Sequence, residues 1–269
     1  MTATASPSTN QHGSDLQVHR TGHTAQVVMC RPPHNFFDLQ LITELANIFE
    51  ELQADTACRA IVLAAQGRSF CAGADFSVPP ALTAPVTQRR DPAILYSQAM
   101  RLFAATKPVI AAVQGPAIGG GLGLALVADF RITCAEARFS ANFTRLGFHP
   151  GFGLSFTLPR LIGPQQAALL LYTGRRLDGK EAVRIGLADE LVDQTEVLNR
   201  AQALADEIAL SAPIAVQSTR ASLRAGLVAS ISAAVEREAS EQQHHFQTSD
   251  FREGIAALAQ RREPIFRHH

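Results

Sequence analysis

A glycine-rich turn at residues 115–123 constrains the fold more than any other feature of the chain. The apolar run at residues 108–113 predicts a buried strand, which the Gly-Pro pair at residues 115–116 must end. Gly119, Gly120 and Gly121 then open an apolar pattern that predicts the start of a helix. The first N–H groups of a helix lack partners within it, and glycine lets a ligand approach the backbone closely. Such a strand–turn–helix unit favours the binding of developing negative charge.

The turn matches neither of two common nucleotide-binding motifs. A dinucleotide fingerprint combines Gly-x-Gly-x-x-Gly with an acidic residue about 20 positions further on, after a second strand, and the turn does not show this combination. The chain also has no Gly-Lys-Ser/Thr sequence, which a phosphate-binding P-loop requires. By itself the turn leaves open whether it binds an anion or only allows two elements to pack closely.

A second stretch, at residues 59–76, identifies the turn. It consists of an apolar run, a polar Gln-Gly-Arg turn and the sequence Ala-Gly-Ala-Asp at residues 72–75, and Ala-Asp-Phe-Arg-Ile follows the glycine turn at residues 128–132. Together these motifs resemble the crotonase family, the enoyl-CoA hydratase/isomerase superfamily. The resemblance runs from about residue 18 to about residue 266. The paired motifs are specific for the family but not for one of its reactions.

The order of the predicted elements indicates the fold class. The strands predicted at residues 16–20 and 25–30 form an opening hairpin. Those predicted at residues 60–64 and 108–113 alternate with predicted helices, which favours crossover connections and parallel pairing. The resemblance implies an α/β fold, a twisted crotonase-like sheet of ββα units with a C-terminal helical trimerisation region. We expect a disordered N-terminal tail at residues 1–14 and a crotonase-like domain at residues 15–269. Its core should span about 15–195 and its helical region about 196–266.

Charge and cysteine content exclude several classes of function. Lysine plus arginine and aspartate plus glutamate both number 24, so the chain has no overall basic field for nucleic acid or an anionic membrane. The four cysteines lack metal-type spacing. No apolar run approaches the roughly 20 residues that span a bilayer, and residues 1–14 lack the layout of a signal peptide. We therefore expect a cytoplasmic protein with reduced thiols, no metal site, no nucleic-acid partner and no membrane span.

The resemblance implies that two backbone N–H groups bind the thioester carbonyl oxygen of an acyl-CoA. The matching positions are Ala74 and Gly120, the middle glycine of the turn. Fixed N–H dipoles suit this oxygen because its negative charge grows as the α-carbon is attacked or deprotonated. The CoA should lie along residues 31–34 and 70–75, and no cofactor is expected besides the CoA of the substrate. The expected substrate- and CoA-binding residues are Arg31, His34, Ala72, Asp75, Gly119, Phe143 and Gly151.

The acidic residues that the family's reactions use are missing from this chain. Family hydratases carry one glutamate three residues beyond the middle glycine and a second in the loop after residue 139; here those positions are Gly123 and Phe143. Isomerases with an acid after the later loop proline would place it at Gly151. His149 is the best remaining acid/base candidate because imidazole titrates near neutral pH, although a lone loop histidine is more often only hydrogen-bonded or exposed. Asp75 and His34 are weaker candidates.

Two functional hypotheses remain. The first is an enoyl-CoA hydratase/isomerase-type enzyme that stabilises a thioester enolate and uses atypical acid/base groups. The alternative is a catalytically degenerate member that only binds CoA thioesters, or a different reaction, an isomerase or a C–C hydrolase/lyase, on a cyclic or aromatic acyl-CoA. Phe143 favours an apolar acyl wall, as in aryl-CoA dehalogenases and several isomerases of the family. Dehalogenation itself is not expected, because its nucleophilic aspartate would fall at Gly151. The resemblance to the crotonase family also implies a homotrimer or a hexamer.

Overall fold

A seven-stranded mixed sheet and a smaller three-stranded sheet form the frame of the molecule. The computed structural model describes residues 8–12, 15–76 and 91–269. Its strands are β1 (Ser8–His12), β2 (Leu16–Thr21), β3 (Thr24–Met29), β4 (Ala60–Ala65), β5 (Val109–Val113), β6 (Ala117–Ile118), β7 (Phe130–Thr133), β8 (Arg138–Ser140), β9 (Leu177–Asp178) and β10 (Glu190–Leu191).

Parallel pairing dominates the large sheet, as the alternation of elements predicts. Its strand order is β1-β2-β3-β4-β5-β7-β10. β1, β2 and β3 pair antiparallel, whereas β3, β4, β5, β7 and β10 are parallel neighbours. The small sheet has the order β6-β8-β9, and its first strand is the segment between the Gly-Pro pair and the glycine turn.

The helices cover the sheet and build the C-terminal third of the chain. They are α1 (Leu39–Ala54), α2 (Pro92–Phe103), α3 (Gly120–Ala125), α4 (Leu154–Ile162), α5 (Pro164–Thr173), α6 (Gly179–Arg184), α7 (Val197–Ala209), α8 (Pro213–Leu223), α9 (Leu227–His245) and α10 (Ser249–Gln260). α7 packs on β3, β4, β5 and β7, while α2 packs between α1 and α9. The expected mixed fold with C-terminal helices is therefore confirmed.

Local sequence signals explain where the first two helices begin. The Asp38 side chain accepts a hydrogen bond of 2.8 Å from the Leu41 N–H and so caps α1. Asp91 caps α2 in the same way, and Pro92 occupies the first turn, where its missing N–H costs nothing. Both helices bury one apolar face, which the three- and four-residue spacing predicts.

The N-terminus differs from the expectation of a disordered tail at residues 1–14. Ser8–His12 pairs antiparallel with Leu16–Thr21 and adds an edge strand to the large sheet. This segment has no apolar pattern that would predict a strand. An open sheet edge can nevertheless pair with an extended segment through backbone hydrogen bonds alone. The remaining residues of that tail, and residues 77–90, lie outside the described residues. Within the described ranges, no helix combines the length and apolarity needed to cross a bilayer.

Candidate active site

The loop after β4 and the glycine turn are joined by backbone hydrogen bonds. Cys71 forms a parallel bridge with Ala117. The Cys71 N–H donates to the Pro116 carbonyl at 3.0 Å, and the Ile118 N–H donates to the Cys71 carbonyl, also at 3.0 Å. The two family motifs therefore run side by side, as the resemblance implies.

Two glycines are required for this close approach. A Cβ atom on Gly121 would lie 2.0 Å from the Cys71 carbonyl oxygen, so any side chain there would separate the loops. A Cβ on Gly73, whose φ is +83°, would lie 2.9 Å from the Ile118 carbonyl oxygen and 3.4 Å from the Gly120 nitrogen. The absence of both side chains brings the peptide between Gly73 and Ala74 next to Gly120.

Hydrogen bonds of the neighbouring carbonyls orient the two expected donors. The Phe37 N–H donates to the Gly73 carbonyl at 2.9 Å. Because the C=O and N–H of one trans peptide point in opposite directions, the Ala74 N–H points away from Phe37. The Gly119 carbonyl accepts from the N–H groups of Leu122 and Gly123 at 3.0 and 3.2 Å, so the Gly120 N–H points out of the N-terminal end of α3. Both N–H groups are thus directed out of the backbone that holds them.

The segments expected to hold CoA are also adjacent. The Ala72 N–H donates to the His34 carbonyl at 3.0 Å, which ties residues 31–34 to the Ala-Gly-Ala-Asp loop. Ala72, Ala74 and Asp75 are half-buried, as a ligand site on a loop requires. Arg31, however, forms ion pairs with Asp15 at 2.8 Å and Asp38 at 2.9 Å. Its guanidinium is therefore already neutralised by two carboxylates.

Arg68 is a further cation at this edge that the motif comparison did not single out. It is exposed, and its Nη2 lies 3.2 Å from His34 Nε2. The sequence places Arg68 in the polar turn before the Ala-Gly-Ala-Asp sequence. Arginines are so common in exposed turns that this position alone does not indicate a ligand-binding role.

An aromatic cluster stands beside the glycine turn. A Cβ on Gly119 would lie 3.8 Å from the Phe143 ring, which meets the Phe148 ring edge-on at a centroid distance of 5.3 Å. Further ring contacts extend the cluster, whose members are Phe76, Phe143, Phe148, Phe246 and Phe251. Phe143 therefore places an aromatic ring, which carries no titratable group, beside the glycine turn. Its role as a wall of the acyl site stays a prediction.

The space at Gly123 is filled by another side chain. A Cβ on Gly123 would lie 2.6 Å from Phe152 Cβ and 2.8 Å from Phe152 Cγ. Phe152 is 1% exposed, and its ring packs against those of Phe37, Tyr96 and Phe103 at 5.5–6.2 Å. No sequence pattern indicated that a residue 29 positions away would occupy the site of the missing glutamate.

The space at Gly151 is filled as well. A Cβ there would lie 1.8 Å from the Tyr96 hydroxyl oxygen and 2.4 Å from Gln242 Nε2. The Tyr96 hydroxyl donates to Gln242 Oε1 at 3.0 Å. Burial raises the pKa of Tyr96, so the phenol stays neutral at physiological pH. Gly151 is a packing position in this structure, and its predicted role in substrate binding stays a prediction.

A buried carboxylate, Glu238, holds the same loop from the other side. It accepts from the Gly153 N–H at 2.7 Å, from the Ser155 N–H at 2.8 Å and from the Ser155 hydroxyl at 2.6 Å. Burial raises its pKa, against the effect of these donors. No sequence pattern indicates this role, because a single glutamate in a polar helix is usually solvated.

His149 lies in a cleft of about 430 Å³ between the loop, α5 and the end of α9. The lining residues are Thr144, Gly147, Phe148, His149, Pro150, Ser155, Leu171, Tyr172 and His245. His149 Nδ1 lies 2.8 Å from the Pro150 carbonyl oxygen, which can only accept, so Nδ1 carries the proton. In the neutral imidazole this leaves Nε2 with a lone pair, as a general base needs.

Among the described residues, the cleft that holds His149 is lined by neither Ala74 nor Gly120, the two expected N–H donors. The contacts between the two places run through Phe148, which lines the cleft, and Phe143, which lies beside Gly119. A catalytic role for His149 therefore stays a prediction.

Known proteins are similar to this chain in sequence and in fold. The family model for enoyl-CoA hydratase/isomerase matches residues 20–269. The chain is 32% identical over 253 residues to a short-chain-enoyl-CoA hydratase of Clostridium acetobutylicum, covering 93% of this chain and 96% of that protein. It is 35% identical over 234 residues to a crotonyl-CoA hydratase of Syntrophomonas wolfei, covering 86% and 89%.

Two solved structures show the same architecture. An enoyl-CoA hydratase/isomerase from Pseudoalteromonas atlantica superposes with a TM-score of 0.85 at 28% identity, covering 94% of this chain and 100% of that one. A carnitinyl-CoA hydratase from Mycobacterium avium also gives a TM-score of 0.85, at 30% identity and with 95% and 99% coverage.

Proposed function

Because the chain belongs to the enoyl-CoA hydratase/isomerase family, we propose that it is an enzyme that binds an acyl-CoA and polarises its thioester carbonyl with the N–H groups of Ala74 and Gly120. The observation that carries the proposal is the orientation of these two groups. The hydrogen bonds of the Gly73 and Gly119 carbonyls direct both N–H groups out of the backbone, beside each other. The hydratases among the relatives act on CoA thioesters by name, which supports the same substrate class.

The two donors account for one part of the chemistry. Negative charge grows on the thioester oxygen when the α-carbon loses a proton or the β-carbon is attacked, and fixed N–H dipoles stabilise that charge without reorganising. One such donor typically contributes about 100- to 1,000-fold in rate. A complete reaction also needs a group that moves a proton.

The reaction we propose does not depend on the two glutamates of the family hydratases. Phe152 fills the space at Gly123, Phe143 itself is part of the aromatic cluster, and Tyr96 with Gln242 fills the space at Gly151. We assign the proton transfer to His149, whose Nε2 keeps a lone pair. Its cleft does not include the two N–H donors but adjoins the glycine turn through Phe148 and Phe143, so the acyl group would have to extend past these rings. The apolar surroundings favour a cyclic, aromatic or unsaturated acyl group. The second candidate is a member that binds CoA thioesters without turning them over.

Isothermal calorimetry tests the binding that both candidates share. We expect CoA, acetyl-CoA or crotonyl-CoA to bind at millimolar or lower concentration. Absence of binding by all three would contradict the enzyme and the binding-only candidate together.

Substitution of His149 separates the two candidates. On an acyl-CoA selected from a panel by turnover, His149→Ala should abolish turnover and leave the CoA affinity nearly unchanged, because uniform binding does not depend on the proton carrier. His244→Ala removes an exposed imidazole in the same region and serves as the control. Unchanged turnover in His149→Ala would show that another group moves the proton. A panel that binds but is never converted would favour the binding-only candidate.

Self-association is a further part of the proposal. Every residue of α8 is exposed or half-buried, and the apolar side chains of Leu210, Ile214 and Leu223 are 88%, 83% and 73% exposed. Large contiguous apolar patches commonly mark protein interfaces. We therefore expect a trimer or hexamer, and light scattering at micromolar concentration should show it. A monomer would contradict this expectation, and Ile214→Glu should shift the assembly towards monomers.

A further inference from the structure

Phe152 occupies a position that the sequence gives no reason to fill with an aromatic ring. Its Cβ, Cγ and Cδ1 atoms would lie 2.6, 2.8 and 2.9 Å from a Cβ on Gly123. Gly123 follows Gly120 by three residues, so both lie on the same face of α3, one turn apart. Phe152 therefore covers the helix face directly after the proposed Gly120 donor.

Phe37 completes this cover. A Cβ on Gly120 would lie 2.4 Å from the Phe37 ring, and the Phe37 and Phe152 rings contact each other at a centroid distance of 5.5 Å. Two buried rings thus form one continuous surface along the first turn of α3. This surface adjoins Gly120, whose N–H is proposed to bind the acyl oxygen.

The backbone of Phe152 is held in an unfavourable conformation. Its φ is 62°, in the left-handed region, which is unfavourable for a residue with a Cβ. The next residue, Gly153, also has a positive φ, and its N–H is fixed by the buried Glu238. Strain of this kind persists only where the surroundings enforce it, and it concentrates at functional sites.

We propose that Phe152 selects the acyl group by filling the space beside the reacting carbons. The selected class is a flat, unsaturated or aromatic acyl group that can lie against the Phe37 and Phe152 rings. The Phe152 ring excludes acyl groups that are branched at the β-carbon. It also excludes a water molecule from the space that a side chain on residue 123 would fill. This inference rests on the proposed acyl-CoA function and adds the identity of the selecting residue.

The affinity of two ligands tests the selection. Crotonyl-CoA is flat, whereas isovaleryl-CoA is branched at the β-carbon, and the wild-type protein should bind crotonyl-CoA at least about tenfold more tightly. Phe152→Gly removes the ring and suits the left-handed backbone, so this preference should fall about tenfold or more. Phe103→Ala is the matched control because it removes another buried ring, on α2, that packs against Phe152. It should leave the preference unchanged.

A stability measurement tests the packing without any ligand. Gly123→Ala should lower the unfolding temperature of the wild-type protein because its Cβ overlaps Phe152. In the Phe152→Gly background the same change should raise it, because alanine is the better helix residue once the space is free.

The outcomes distinguish the possible failures. A folded Phe152→Gly variant that keeps the wild-type ligand preference would overturn the selecting role of Phe152. A Gly123→Ala effect of the same sign in both backgrounds would overturn the packing on which that role depends. Wild-type protein that binds neither ligand would overturn the proposed function itself, before any variant is compared.

Discussion

At the scale of single residues, packing fills the space beside Gly123 and Gly151, two positions where the family resemblance would place an acid. Gly123 and Gly151 have no room for a side chain, because Phe152 occupies one position and Tyr96 with Gln242 the other. Glutamates introduced at residues 123 and 143 would therefore not restore a hydratase site, since the Phe152 ring would have to move first. The sequence shows that the acids are absent, but only the packing shows that their space is filled.

The Gly151→Ala substitution tests this packing. Its Cβ would overlap the Tyr96 hydroxyl and displace Gln242, leaving buried polar atoms without partners. Overpacking and lost hydrogen bonds together should lower the free energy of unfolding by about 3 kcal/mol or more. Denaturant titration measures the loss.

A control glycine separates overlap from a general cost of removing glycine. Gly226 has a φ of +74° and open space around its missing side chain. Gly226→Ala should therefore cost only about 1–2 kcal/mol, from the left-handed backbone. Equal losses for the two variants would show that Tyr96 and Gln242 do not fill the space at Gly151.

At the scale of secondary structure elements, α9 holds the loop that carries His149. Glu238, Gln242 and His245 recur at helical spacing and contact residues 149–155, whereas Gln243 and His244 point to solvent. The sequence predicts a helical region here. It does not show which face of α9 is buried, because polar residues occur on both faces and leave no hydrophobic period. Within residues 241–245, Gln242 is buried whereas Gln243 and His244 are exposed.

The contact between α9 and the loop should depend on pH. The backbone N–H of His149 donates to His245 Nδ1 at 3.1 Å. Nδ1 of His245 must therefore be unprotonated. Burial, assisted by the neighbouring His149 and His244 and opposed by Glu241, lowers the pKa of His245 from its ordinary value of 6.5. Below pH 6.5 the unfolded chain therefore takes up this proton before the folded one does. The stabilisation is complete above pH 6.5 and is lost as the pH falls towards the lowered pKa.

Comparison of the wild type with His245→Ala isolates this effect. The wild type should exceed the variant in free energy of unfolding by about 1 kcal/mol at pH 8, and the difference should shrink towards pH 5. His244→Ala, which removes the exposed neighbour, should show no comparable trend. A wild-type advantage that is constant from pH 8 to pH 5 would contradict the proposed hydrogen bond.

At the scale of the whole molecule, the parallel centre of the sheet could be predicted and its edge could not. Apolar runs such as Val109–Val113, buried at every residue, and their alternation with helices indicate parallel neighbours directly. β1 pairs through its backbone, which leaves no apolar pattern in the sequence. The positions of Ala74 and Gly120 follow from glycine motifs in the sequence. The residues that fill the space at Gly123 and Gly151, which are Phe152, Tyr96 and Gln242, come from helices and a loop distant in the chain.

Crotonyl-CoA hydration by the wild-type protein, measured beside calorimetric binding on the same preparation, tests the central claim most directly. A positioned acid/base group typically contributes about 100- to 10,000-fold in rate. Gly123 and Phe143 stand where the family resemblance places the two such groups that activate water. We predict saturable binding of crotonyl-CoA with hydration slower than that of a family hydratase by at least about 10,000-fold, two such contributions combined. Hydration at a rate normal for the family would contradict the assignment of the empty positions and the exclusion of water by Phe152.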